Sequence, residues 1–220
     1  EKPTGDKDPY ALRRQALGIL RMLIDAQLPI SFQQCLQDAL VQFPQAQADT
    51  LPALMEFCQD RLSVNLREQG ASAQEVDAVL ALNPEYLHQI PARLSAVQSF
   101  SHLAEAPALA AANKRVSNIL KKVEGELQAQ IQPELLQEPA EQQLAQILAE
   151  IKPKADALFE QGNYTESLKT LAALKAPVDS FFDHVMVNAE DAKLKANRLA
   201  LLASLHAAMN RVADLSRLAG

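Results

Sequence analysis

The chain has no tryptophan, two cysteines, six glycines and few aromatic side chains, 5% of its 220 residues. Each shortage closes off a class of protein. Cys35 and Cys58 each fall among apolar residues at helical spacing, and two thiols cannot supply the several pairs of a secreted scaffold or the cluster of a zinc site. Reducing surroundings are the expectation. So few glycines leave no phosphate-cradling P-loop and no dinucleotide-binding glycine pattern. No apolar run approaches the roughly 18 to 20 residues of a membrane span. The opening residues, 1–8, resemble neither a signal nor a transit peptide, so the chain is expected to be soluble and cytoplasmic. A formal net charge of -6 excludes a general coat for nucleic acid or anionic membrane, because Lys and Arg drive phosphate binding; only a local basic patch could do so.

What is abundant is alanine, leucine and glutamine, the balance that helices favour and strands do not. The expected fold is all-α, a helical bundle whose boundaries are written as caps. Asp8-Pro9 predicts a helix start, with Leu12, Ala16, Ile19, Leu20 and Leu23 on one face. Ser31 with Gln34 and Ser72 with Glu75 read as capping boxes. Pro44 is expected to end the helix carrying Cys35, Leu36, Ala39, Leu40 and Phe43; Thr50 opens the next, which Gly70 closes, and Asn83-Pro84 ends the fourth. Short helices give way to longer ones after residues 84–91, which divides the chain into 1–90 and 91–220. In the second part Leu109, Ala112, Val116, Ile119 and Val123 form one stripe, ended by Gly125. Glu138-Pro139 opens a long segment expected to kink at Pro153, and Gly162 ends it. Asn163 with Glu166 caps the following helix, Pro177 interrupts the chain, and a last helix is expected from about 190 to 218.

Catalytic signals are scarce. His88, His102, His184 and His206 have no His or Cys partner at metal-ligand spacing. Asp183-His184 has the residue types of a phosphohydrolase pair, but in reverse order and without a second cluster, so a degenerate hydrolase is only a weak alternative. Residues 157–168 resemble part of a tetratricopeptide unit, yet no second copy follows at a period near 34, and an ordinary helix pair accounts for them. Together with the acidic balance, that stretch motivates the rival reading, a helical protein-interaction scaffold that binds no RNA.

Two features resist a purely structural account. Lys114, Arg115, Lys121 and Lys122 are four cations in ten residues of an acidic chain. At about 100° per residue, Lys114, Asn118, Lys121 and Lys122 point away from the Val116 stripe, with Arg115 beside them, a face suited to phosphate and base contacts. Asn197 and Arg198 lie about 40° to 60° from the apolar stripe of the last helix, where buried polar groups need partners; an internal tie and a ligand contact are both open.

These segments also resemble a known family. Residues 178–188, 197–202 and 212–216 resemble the C-terminal end of the β subunit of bacterial heterotetrameric glycyl-tRNA synthetase, and residues 110–120 and 8–14 are similar to two further segments of it. The tail resembles that family's anticodon-binding domain, a helical fold shared with arginyl-tRNA synthetase; it departs at Ala208-Met209, where the family would carry an aromatic. The resemblance implies an upstream helical region, 1–90, that follows the HD-like domain of the subunit, and an anticodon-binding-like domain, 91–220. It implies glycylation of tRNA(Gly) with ATP by the parent ligase, with the aminoacylation site on the separate α subunit. This piece is then expected to be non-catalytic, to hold no metal or cofactor, and to partner tRNA(Gly), the α subunit and the rest of the β subunit, but neither membrane nor DNA. The expected tRNA contacts are Lys114, Arg115, Asn118, Lys121, Lys122, Asn188, Asn197 and Arg198.

Overall fold

A computed structural model describes residues 7–8, 10–123, 125 and 130–220, and over them the chain is helical. Extended pairing among these residues is limited to isolated bridging, as in the antiparallel bridge between Ser31 and Tyr86. No described helix is long and apolar enough to cross a membrane. The chain forms two compact units, residues 1–94 and 95–220. The sequence reading divided it at 90 and 91.

The first unit is built from α1 (Leu12–Asp25), α2 (Phe32–Leu40), α3 (Thr50–Glu68) and α4 (Ala73–Leu80). Helices α1, α2 and α4 all pack on α3, burying Leu20, Leu62, Leu66, Val76 and Val79. Pro9 lies outside the described residues, and α1 begins later than expected, at Leu12. Asp8 still caps it: its two carboxylate oxygens accept from the amides of Leu12 (2.7 Å) and Arg13 (3.1 Å), while Ala11 turns through a left-handed φ of 52°. Ser72 and Glu75 make both bonds of the capping box. Ser31 makes only one: its hydroxyl accepts from the Gln34 amide at 3.3 Å, but the Gln34 side chain donates to Asp38 at 2.7 Å instead. Helix α2 stops at Leu40, short of Pro44, so Phe43 lies beyond it and is 54% exposed rather than on a helical face. Gly70, at φ +103°, ends α3 as expected, because no Cβ opposes that conformation.

Helix α5 (Ile90–Ser101) runs through the division between Leu94 and Ser95. The second unit continues with α6 (Ala106–Leu120), α7 (Pro139–Glu160), α8 (Tyr164–Thr170), α9 (Lys175–His184), α10 (Ala192–Met209) and a 3-10 turn, Leu215–Leu218. Helix α7 packs on α8, α9 and α10, and α6 packs on α10 and on the 3-10 turn. Leu144, Leu148, Leu168, Leu174, Phe181, Leu201, Leu202 and Leu205 fill the space between them.

Three expectations are corrected here. The last helix ends at Met209, because the Asn210 side chain turns back to the His206 carbonyl (2.7 Å) and accepts from the Leu215 amide (3.1 Å), starting a separate turn. Pro177 does not interrupt the chain: it is the third residue of α9, where a missing N–H costs nothing because first-turn amides have no helical partner. The α6 stripe is rotated. Asn113 and Ser117 are buried with Leu109, Ala110 and Val116, whereas Ile119 is half-buried and Val123 lies beyond the helix end. Helix α7 is continuous across Pro153.

Candidate functional site

The polar side chains buried in the second unit are already engaged. Asn197 is fully buried; its Oδ1 accepts from the Gln132 amide (2.7 Å) and its Nδ2 donates to the Gln132 carbonyl (3.0 Å). Arg198 donates through Nε to the Glu141 carboxylate and through Nη1 to the Met186 carbonyl (2.8 Å). The other oxygen of Glu141 accepts from the amides of Gln137 and Glu138, each at 2.9 Å, so one fully buried carboxylate both caps α7 and holds α10. Both candidates are therefore internal ties. Asn197 is fully buried and Arg198 is buried with its Nε and Nη1 in use, so both serve as ties between elements rather than as exposed contacts for tRNA.

The remaining candidates are exposed. Lys114, Arg115 and Asn118 ride the outer face of α6, Lys121 and Lys122 follow its last turn, and Asn188 stands in the connection between α9 and α10. The Arg115 guanidinium carbon lies over the Phe182 ring, 4.1 Å from its centroid, a cation–π contact. Lys114, Asn118 and Lys121 line one cleft together with Ser117, Leu120, His206, Asp214, Ser216, Arg217 and Ala219; its volume is about 660 Å³. Lys122 does not line it. The chain beyond Met209 brings the 3-10 turn against α6, so the cleft is made by the helix break that the sequence concealed.

One polar pair braces the elements around the cleft without lining it, and another lies on its lining. Asn113 and Asn210 exchange side-chain amide bonds of 2.8 and 3.1 Å, pinning α6 to the end of α10. His206 Nε2 lies 3.0 Å from the Ser117 hydroxyl. Burial pushes the His206 imidazole below its ordinary value of 6.5; the Asp214 carboxylate opposes that shift and the Lys121 ammonium adds to it. Asp214 is occupied by the Ser216 amide (3.1 Å) and hydroxyl (2.6 Å) and by Arg217 Nε at 3.4 Å. The cleft thus presents three cations, Lys114, Lys121 and Arg217, against one carboxylate already in use. The formal charge of the lining is thus positive although the chain is acidic. Lys121 and Lys122 sit where the carbonyl end of α6 attracts cations, which accounts for them without a ligand. Lys114, in mid-helix, has no such account.

Ser117, His206, Asp214, Ser216 and Arg217 escaped the sequence reading. Their only signal was the 117–206 pairing of an isolated histidine with a hydroxyl, which no local pattern reports. Asp183 and His184 are exposed, and the His184 Nδ1 lies 2.8 Å from the Ser180 carbonyl of its own helix. Among the described residues no group of three or more His, Cys, Asp or Glu could hold a metal ion. Residues 157–168 span the end of α7, a short turn and the start of α8, with the Ser167 hydroxyl donating to the Ala155 carbonyl at 2.8 Å.

Comparison with known proteins gives two matches along the chain. Residues 1–81 match the family model described as glycyl-tRNA synthetase beta subunit. Residues 109–215, which contain the whole cleft apart from Ser216, Arg217 and Ala219, match the DALR anticodon binding domain. The glycine–tRNA ligase beta subunit of Leptothrix cholodnii is 62% identical over 217 residues, covering 99% of this chain and 30% of that protein. Those of Methylobacillus flagellatus and Delftia acidovorans are 61% identical over 221 residues and 59% identical over 217, covering 100% and 99% of this chain and 31% of each relative. The chain spans about three tenths of the length of these relatives.

Proposed function

Because this chain belongs to the glycyl-tRNA synthetase β subunit family, we propose that it is the part of such a subunit that grips and identifies tRNA(Gly). The parent ligase joins glycine to that tRNA with ATP in the cytoplasm, and the α subunit and the rest of the β subunit are its protein partners. The chain itself performs recognition only. It takes no cofactor, and charging requires the α subunit.

The observation that carries this reading is the positive cleft of the second unit, opened on α6 by Lys114 and Lys121 and closed by Arg217. Cations at such a rim neutralise phosphates and set the register of the bound strand, while neutral donors and acceptors discriminate bases. Lys114, Lys121 and Arg217 take the phosphate role, with Arg115 and Lys122 beside them. Asn118 and His206 offer amide and imidazole edges to an unstacked base, the form in which RNA sequence is read, while the buried Ser117 hydroxyl holds the His206 ring. Asn188 lies outside the cleft and is kept as a peripheral contact.

Gel-shift titration of tRNA(Gly) tests it. Changing Lys114→Gln together with Lys121→Gln should weaken binding by about tenfold at moderate salt and leave thermal stability nearly unchanged, since both side chains are exposed. An unaltered affinity in the folded double variant would remove the cleft from the reading.

A further inference from the structure

Large apolar side chains should be inside, and a cluster of them in water marks a surface that something else covers. Among the described residues, all the exposed large apolar side chains except Met186 belong to the first unit. Two of them, Ile19 and Met22, 49% and 61% exposed, share an arc of about 80° on α1 with Leu12. This face borders a groove of about 610 Å³ between α1, α2 and α3, walled by Leu12, Ile19, Leu36, Leu54 and Phe57. No Lys or Arg lines it. With no cation and with the Asp49 carboxylate on its lining, the groove offers a phosphate no opposite charge and is no extension of an RNA surface.

We infer that this groove is the seat of the remaining polypeptide of the full-length β chain, which lays an apolar face on Leu12, Ile19, Leu54 and Phe57. Two observations select that occupant. The matched relatives hold more than twice as much further sequence in the same chain, since this stretch makes up only 30 to 31% of them. A covalently joined segment meets the groove at an effective concentration near the millimolar range, which separate partners do not reach. A second copy is disfavoured by the net charge of -6 carried on each chain. The inference rests on the family reading but not on RNA binding, which is measured separately in the same protein by tRNA gel shift.

The test places a reporter on the face. Ile19→Cys is made in the 220-residue chain and in a chimera in which this sequence replaces the matching segment of one of the full-length relatives. Labelling of that thiol is followed by peptide mass spectrometry, with the native, exposed Cys35 as a reference for general reactivity. Labelling at position 19 should be at least about tenfold slower in the chimera than in the short chain. As a second variant, Ile19→Lys should leave the melting of the short chain unchanged and raise the susceptibility of the chimera to limited proteolysis. Equal labelling rates in the two proteins would overturn the inference. Protection in the short chain that grows with its concentration would assign the groove to a second copy, and protection that appears only when α subunit is added would assign it to that partner. Either result rejects the covalent occupant.

Discussion

A single arginine decides how the second unit should respond to mutation. Arg198 and Glu141 are buried together, so truncating one strands the other without solvent. Arg198→Ala is expected to cost about 3–5 kcal/mol of stability, measured by denaturant unfolding, because the lone Glu141 charge is left uncompensated. The tRNA affinity of the folded fraction should not change. The sequence placed Arg198 near an apolar stripe but could not name Glu141, 57 residues away, because the pairing depends on how α7 crosses α10. His206 makes a second residue-scale prediction. Its folded imidazole titrates below 6.5, so the unfolded chain binds the proton more readily. Stability on this account is fully present above pH 6.5 and is lost as pH falls from there through the folded value. His206→Gln should flatten that part of the melting temperature against pH, and an identical profile in the variant would show that another group controls it.

Elements were legible where a cap is local and illegible where it is tertiary. Ser72, Gly70, Asn163 and Glu138 announce their helix ends within a few residues, and all four act as expected. The end of α10 at Met209 carries neither proline nor glycine; it is imposed by Asn210, whose partner Asn113 is 97 residues distant. The rotation of α6 has the same origin, since a buried Asn113 and Ser117 only make sense against α10. Asn113→Ala should therefore do more than weaken one helix. Leaving the Asn210 amide short of a partner is expected to cost about 1–3 kcal/mol by chemical denaturation. The same variant should bind tRNA(Gly) more weakly, because the 3-10 turn bearing Arg217 loses its anchor. Lost stability without lost affinity would mean that the turn is held independently of this pair.

At the scale of the whole molecule, an acidic chain must bind a polyanion against its own field. That makes the interaction depend on a few cations and on salt. Replacing Lys121→Gln and Lys122→Gln should lower the slope of log affinity against log salt by about 0.7 to 0.9 for each phosphate no longer neutralised, hence by at most about twice that. Lys121 lines the cleft and Lys122 does not, so a fall of one increment is the expected value. A slope equal to that of the parent chain would make both lysines companions of the α6 dipole only. The basic face itself was legible, because 114–122 carries four cations and no acid in nine residues and needs only helical geometry to be oriented. Its opposite wall was not, since Asp214, Ser216 and Arg217 reach it through a turn that looked like continuing helix.

The long reach of these ties also sets an order of events during synthesis. Glu141 leaves the ribosome 57 residues before Arg198, a delay of roughly 3 to 11 s at bacterial elongation rates of about 5–20 residues per second. Throughout that interval the α7 carboxylate has no guanidinium to meet, Gln132 has no Asn197, and the wall that will become the cleft has no Asn210 to pin it. The nascent chain can complete its first unit early, while the second stays open until its last helix emerges. The surface proposed to hold tRNA is thus the last part of this chain to come into being, and an unfinished translation product cannot present it.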